Sequence, residues 1–314
     1  MKILLIRFSS IGDIVLCSAV VRCIRQQLPS ASIHFVTKAQ YAEVIAGIPH
    51  IDRVHYLEND LVDLIRRLRQ EQVDYVLDLH QSIRSMLVRY ALGVPFSAYH
   101  KATFSRLKYV FFTRAAKPVR HIALRYIDTA ASLGVEDDGK GLDYSLSDAP
   151  FPADFPFAAS SYRVWVLGAK FRTKALPADK IIQAMTGYAG AMVLVGGTDV
   201  MEEASRIQRA FPAIYNACGR LRWDESVRLI RDAEMVYAND TGLMHVAAAL
   251  KKKLHVFYGS SVPEFGFEPY HTDWTNHGVS GLWCRPCSKI GFDQCPLGHF
   301  HCMQRQQFQL KSNS

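Results

Sequence analysis

No uncharged apolar run in this sequence approaches the ~18–20 residues that a membrane-spanning helix requires. The opening stretch, Met1-Lys2-Ile3-Leu4-Leu5-Ile6-Arg7, returns to a charge after four apolar residues, too soon for the apolar region of an export signal. The expectation is therefore a cytoplasmic protein whose thiols stay reduced. The G-x-G-x-x-G glycines are missing, which excludes a dinucleotide fingerprint after the first strand. Short-period repeats and low-complexity segments are absent too. Acidic residues are missing from one long interior stretch, Leu79 to Ile127.

What is present is ordinary for a globular protein. Of 314 residues, 49% are hydrophobic and 21% charged, which excludes a disordered chain. The length suffices for two domains, each with its own core. A net charge of +8 points to nucleic acid, an anionic membrane face or phosphorylated substrates. Apolar strand-like runs (Lys2–Phe8, Ile33–Thr37, Val54–Leu57, Val73–Leu79) alternate with amphipathic stretches (Ile14–Leu28, Leu61–Gln70), the pattern of a covered parallel sheet. Residues 148–161 carry three prolines and read as a linker. The alternation then restarts with strands at Arg163–Leu167, Ala191–Val195, Met235–Ala238 and Leu254–Tyr258. Helices are expected at Ala178–Gly187, Val200–Ala210 and Leu243–Leu250. Two doubly wound α/β domains, residues 1–155 and 156–314, are the expectation, with ligands at the carboxyl ends of the strands.

Three strand-end turns carry candidate chemistry. In Phe8-Ser9-Ser10-Ile11-Gly12-Asp13, Gly12 permits close approach of a ligand, and Asp13 is either a helix cap or a general base. In Asn239-Asp240-Thr241-Gly242-Leu243-Met244-His245, a strand gives way to an Ala-rich helix whose first amides suit a phosphate, aided by the Thr241 hydroxyl. Asp240 is alternatively a cap and His245 a packed histidine. In Leu167-Gly168-Ala169-Lys170-Phe171-Arg172-Thr173-Lys174, three cations within five residues suit a diphosphate or form a solvated loop. Gly196-Gly197-Thr198 and Cys218-Gly219-Arg220 are further glycine turns.

The pairing of Arg7-Phe8-Ser9-Ser10-Ile11-Gly12-Asp13 with the Asp240-Thr241-Gly242-x-x-His245 turn resembles the bacterial heptosyltransferases, glycosyltransferase family nine, which build lipopolysaccharide core. The segment from Asp74 through Asp78-Leu79-His80 to Arg84-Ser85 is similar to the family's DxxxDLHxxxRS. So is the tail Cys284-Arg285-Pro286-Cys287…Cys295-Pro296-Leu297-Gly298-His299-Phe300-His301-Cys302. The resemblance runs from Met1 to about Met303. It implies a GT-B fold, two Rossmann-like domains facing a cleft, with acceptor on the first and nucleotide-sugar donor on the second. It implies Asp13 as base, and Lys174, Asp240, Thr241, Gly242 and His245 at the donor, with ADP-heptose as that donor. One departure is Leu167-Gly168-Ala169, where the family often has Pro-Gly-Ala with Trp before the lysine.

Inverting transfer fits these residues. A base takes the acceptor hydroxyl proton, while Lys174 and the helix start stabilise the departing diphosphate. The chain has no Asp-x-Asp pair, with which many metal-dependent sugar transferases hold an ion, so no obligatory metal is expected. The acid-free stretch holds nine Lys/Arg (including Arg84, Lys101, Arg114 and Arg120) interleaved with aromatics. It suits single-stranded nucleic acid, or a phosphorylated glycolipid at an anionic leaflet, or helices with aromatic cores. The resemblance favours the lipid A/core acceptor, peripheral contact with the inner membrane and no nucleic acid. Acceptor-side candidates are Ser10, Gly12, His80, Arg84, Lys101 and Arg120. Cys284, Cys287, Cys295 and Cys302 leave a structural zinc site, a disulfide and packed free thiols open. The competing readings are a nucleic-acid-binding protein with a zinc-ribbon-like tail, a binding module that has lost catalysis, and a family member using another nucleotide sugar.

Overall fold

Buried apolar runs become the central strands, because a strand covered on both faces needs apolar side chains at every position. The computed structural model describes residues 1–112, 117–146 and 150–311. Arg114, and Asp148 and Ala149 of the proline-rich segment, lie outside the described residues. The first sheet has β1 (Lys2–Ile6), β2 (Ser32–Lys38), β3 (Arg53–Leu57), β4 (Tyr75–Asp78) and β5 (Phe96–Ala98). Their order is β3-β2-β1-β4-β5, with every neighbouring pair parallel. The second sheet joins β6 (Tyr162–Val166), β7 (Ala191–Val195), β8 (Tyr215–Asn216), β9 (Met235–Asn239), β10 (Leu254–Phe257) and β11 (Trp274–Asn276). Its order is β11-β10-β9-β6-β7-β8, again all parallel. Strand order reverses direction between β1 and β4 in one sheet and between β6 and β9 in the other. Those switch points are where α/β sheets open a crevice for ligands.

The first helix departs from the sequence reading. Instead of one helix over Ile14–Leu28 there are two, α1 (Ile11–Leu16) and α2 (Ser18–Gln27). At Cys17 the ladder tightens, its N–H bonding to Ile14 O at 3.0 Å, and α2 starts afresh. Further helices are α3 (Ala42–Ala46), α4 (Leu61–Gln70), α5 (Ile83–Leu92), α6 (Thr103–Phe111) and α7 (Ile122–Ile127). In the later half they are α8 (Ala178–Met185), α9 (Met201–Ala210), α10 (Trp223–Arg231), α11 (Gly242–Ala249) and α12 (His301–Gln304).

The chain forms two compact units. One comprises Met1–Ala102 and Arg120–Ser145, the other Thr103–Val119 and Leu146–Ser314. The intervening helix α6 packs with the second unit: Tyr109 lies against Val262 and Phe265, and Arg106 stands over the Phe267 ring. Val119 N–H also donates to Glu264 O at 2.8 Å. Leu4, Ile6, Val36, Leu64, Leu68 and Val76 belong to one core of the first unit. The second unit's core stacks Trp165 on Tyr237 and Phe257, at 5.0 and 5.4 Å between centroids. Cys302, Met303 and Leu310 of the tail enter that same core. Among the described residues no helix is long and apolar enough to cross a membrane.

Candidate active site

In the first unit the switch-point residues come from the ends of β1 and β4. Arg7 leaves β1 buried, which obliges its guanidinium to find partners inside the protein. Its Nε donates to Ser9 O at 2.6 Å, Nη1 to Leu79 O at 2.5 Å, and Nη2 pairs with Asp13 Oδ2 at 2.6 Å. Asp13 is not the helix cap. Ser10 is the N-cap, and Asp13 sits three residues on, where its Oδ2 accepts from Ser10 N at 3.2 Å and Ser10 Oγ at 2.8 Å. The other oxygen, Oδ1, meets the Tyr126 hydroxyl at a long 3.3 Å. Burial would push the Asp13 carboxyl up, but Arg7 and the Ser10 donors hold it below its ordinary value. Asp13 is thus an ionised carboxylate with one oxygen saturated and the other lightly engaged. Gly12 is buried within α1.

Beyond β4, buried Asp78 organises the next turn. Its Oδ1 accepts from His80 N and Gln81 N at 3.0 and 2.8 Å, and its Oδ2 pairs with Arg89 at 3.2 Å. The His80 ring stands edge-on to Phe8 at 5.4 Å, and its buried Nδ1 has no hydrogen-bond partner. Burial, aided by the positive Arg7, lowers the His80 pKa to about 4, so the ring is neutral. Lys101 donates to Gln81 O at the same turn. Arg84 opens α5 and, with Lys38 and Glu58, lines a cavity of about 600 Å³ at the carboxyl ends of β2 and β3. Arg120 is elsewhere, paired with Asp128 at 3.0 Å. The structure therefore joins Ser10 and Asp13 in one network and Lys101 with the turn that carries His80. Arg84 and Arg120 have separate surroundings.

In the second unit, Lys174 comes from the loop after β6 and Asp240 from the end of β9, so they bridge the switch point. Lys174 Nζ lies 2.6 Å from Asp240 Oδ2, which also accepts from Ser261 Oγ at 2.7 Å. Burial would raise the Asp240 carboxyl; Lys174, then Ser261 and His245, keep it below the ordinary range. Thr241, not Asp240, is the N-cap of α11, and its hydroxyl makes no capping bond. Gly242 is the first helical residue and His245 lies buried a turn further on. Asn239 fixes the Lys174 loop, donating to Gly168 O and accepting from Leu176 N, both at 3.0 Å. Gly259 allows that loop to pass: a Cβ there would sit 2.3 Å from Thr173 O.

Local motif reading passed over two residues of this network, Ser261 and Arg285. Arg285 donates to Gly259 O at 2.8 Å and Ser261 O at 3.1 Å, and so carries the loop from which Ser261 reaches Asp240. The signal for Arg285 in the sequence is its place inside Cys284-Arg285-Pro286-Cys287. All seven cysteines are free thiols. Cys284 Sγ lies 4.0 Å from His299 Nε2, and burial pushes the Cys302 thiol up to about 12. The basic-aromatic stretch divides in two. Tyr99, Tyr109 and Tyr126 are buried, whereas Phe104, Phe111 and Phe112 are exposed, Phe104 at 87%.

Residues 61–300 match glycosyltransferase family 9 (heptosyltransferase). The chain belongs to that family. Lipopolysaccharide heptosyltransferase 2 of Escherichia coli K12 is 25% identical over 312 residues, with 84% of each chain covered. Among solved structures, a family 9 glycosyltransferase from Veillonella parvula aligns at a TM-score of 0.75, with 18% identity and 91% and 90% of the two chains covered. The ADP-heptose lps heptosyltransferase II of E. coli aligns at 0.68, with 20% identity and 98% of both covered. The fold of this family 9 enzyme is accordingly GT-B, two Rossmann-like parallel-sheet domains, and its class is glycosyltransferase.

Proposed function

We propose that this glycosyltransferase moves a heptose from ADP-heptose to the inner core of lipopolysaccharide, inverting the anomeric centre. The observation that carries the reading is the asymmetry of Asp13. Three donors hold Oδ2 and fix the carboxylate, while Oδ1 has one long contact and is the oxygen available to a proton. As an acceptor hydroxyl attacks the anomeric carbon, its proton passes to Oδ1, the glycosidic bond to the diphosphate breaks, and ADP leaves. Lys174 and the first amides of α11 meet the charge that accumulates on the leaving diphosphate. Asp240 and Ser261 hold Lys174 in place for that task. The reaction needs no metal in this scheme, and the tail thiols serve packing.

On the acceptor side, His80 and Lys101 stand at the turn beside Arg7, and Lys38 and Arg84 line the cavity that takes acidic groups of the core. Phe104, Phe111 and Phe112, with Lys108 on the same stretch, give an apolar-basic surface suited to the interface of an anionic leaflet. The enzyme then works in the cytoplasm, peripheral to the inner membrane. The support is the family, the heptosyltransferase activity of the E. coli relatives and the geometry of Asp13 and Lys174. The decisive assay offers ADP-heptose, ADP-glucose, UDP-glucose and GDP-mannose with Kdo-lipid A and with heptosylated core. Product mass identifies the sugar and NMR its anomeric configuration. Transfer from ADP-heptose with inversion is expected; preference for another nucleotide sugar, or retention, would replace this reading.

A further inference from the structure

A second cluster of chemically capable side chains lies where β2 pairs with the edge strand β3 of the first sheet. His34 is the third residue of β2 and His55 the third of β3, strands that pair in parallel with Val36 opposite His55. Both rings are buried, at 4% and 6% exposure. His34 Nδ1 and His55 Nε2 point at one another across 3.1 Å. Glu71, just past α4, completes a group whose three ligand atoms all lie within 4.8 Å of one another. None of these three residues lines the cavity at Lys38 and Arg84, although His55 stands two residues before Leu57, which does, so the cluster is distinct from the residues assigned to substrate.

We propose that His34, His55 and Glu71 form a binding site for a zinc-class divalent transition ion. Two zinc–nitrogen bonds of about 2.0–2.1 Å at a tetrahedral angle require nitrogens about 3.3 Å apart. The observed 3.1 Å needs an opening of only a few tenths of an ångström. The two facing nitrogens share one proton, and an ion that takes both moves that proton to the other nitrogen of its ring. The nitrogen-rich donor set selects against magnesium and calcium, which take oxygen ligands. Glu71 accepts from Arg53, with contacts of 2.8 and 2.9 Å. Arg53 is itself 61% exposed along its side chain and is free to swing into water, releasing the carboxylate as third ligand. Water supplies the fourth position. The ion would tie β2 and β3 to the corner between α4 and β4, a structural role distinct from chemistry at Asp13.

Cobalt(II) reports on the site directly. Titrated into the full chain, it should give a visible ligand-field band without the near-ultraviolet thiolate band that cysteine ligation produces. The band should persist in the double variant Cys284→Ser/Cys287→Ser and vanish in His55→Gln. Because His55→Gln disturbs a buried pair, Glu71→Gln is the second variant: its side chain is near the surface, and loss of the charged ligand should weaken cobalt or zinc by about tenfold or more. Zinc at a hundred times its dissociation constant should raise Tm by about 4 °C in the wild type. Equal metal affinity in wild type, Glu71→Gln and His55→Gln, or a band lost with the tail cysteines alone, would overturn the proposal.

Discussion

Arg7 and Asp13 meet through Nη2 and Oδ2 at 2.6 Å, an ion pair formed by two residues only six apart yet anchored on different elements. The arginine belongs to the end of β1 and the carboxylate to the first turn of α1. The pair keeps the carboxylate charged and orients it, since the same guanidinium is pinned to Ser9 O and Leu79 O.

Asp13→Asn should therefore slow transfer severely while sparing the donor site. A positioned base contributes about 10²–10⁴-fold, so kcat should fall by that range with ADP affinity unchanged. Calorimetric ADP binding beside turnover separates the two. Near wild-type kcat would remove Asp13 as base. Arg7→Met should be worse for folding, because breaking a buried pair costs about 3–5 kcal/mol.

Lys174→Met should act on the donor. Loss of its charge opposite a diphosphate should raise donor KM and lower kcat/KM by about 10²–10³-fold, the range for deleting one stabilising group of this kind. Acceptor KM should not move. A mutant that binds ADP as tightly as wild type would show that Lys174 holds Asp240 and nothing more.

Arg285→Gln tests how far the tail supports the donor turn. Without the guanidinium, Gly259 O and Ser261 O lose their donors and the Ser261–Asp240 bond loosens. Donor KM should rise by about tenfold, consistent with loss of an outer hydrogen bond of about 1–1.5 kcal/mol. Unchanged donor kinetics would make Arg285 a packing residue.

Acid stability should follow the depressed carboxylates. Asp13 and Asp240 lie below 3.8 in the folded protein, and Asp138, hydrogen-bonded by Arg22, lies at about 2. Each binds protons more readily unfolded, so its stabilising contribution is complete above 3.8 and fades as pH falls through the folded value. Urea midpoints should be insensitive to these groups from pH 5 to 7 and drop below pH 4. A midpoint that holds steady to pH 2.5 would contradict the assigned directions.

Replacing Phe104, Phe111 and Phe112 with serine should reduce co-flotation with anionic vesicles and leave transfer to a water-soluble acceptor fragment unchanged. Equal flotation of the triple variant would move membrane contact elsewhere.

Long, fully buried strands were legible because apolar runs bounded by charge can be read locally: Ala191–Val195 came out with the limits expected, and α4 likewise. The edge strands β5, β8 and β11 were not, being two or three residues long with no period to detect. Motif residues that act within one turn, such as Ser10 with Asp13, could be found from sequence. Ser261 and Arg285 could not be assigned that way, since they reach Asp240 and its loop from 21 and 24 or more positions away through the fold. His34 and His55 carry no local signal for the same reason, being 21 residues apart and adjacent only once β2 and β3 pair.

Because Thr103–Val119 packs with the second unit, the polypeptide passes between the units three times rather than once. The genetic unit for exchange among relatives is therefore not the half-chain on either side of the proline-rich segment. A chimera cut there would separate α6 from Val262 and Phe265, the residues it packs against, and expose Tyr109. A working swap has to carry residues 103–119 along with the carboxyl-terminal half, and a protease nick near residue 150 would leave the two pieces still interlaced.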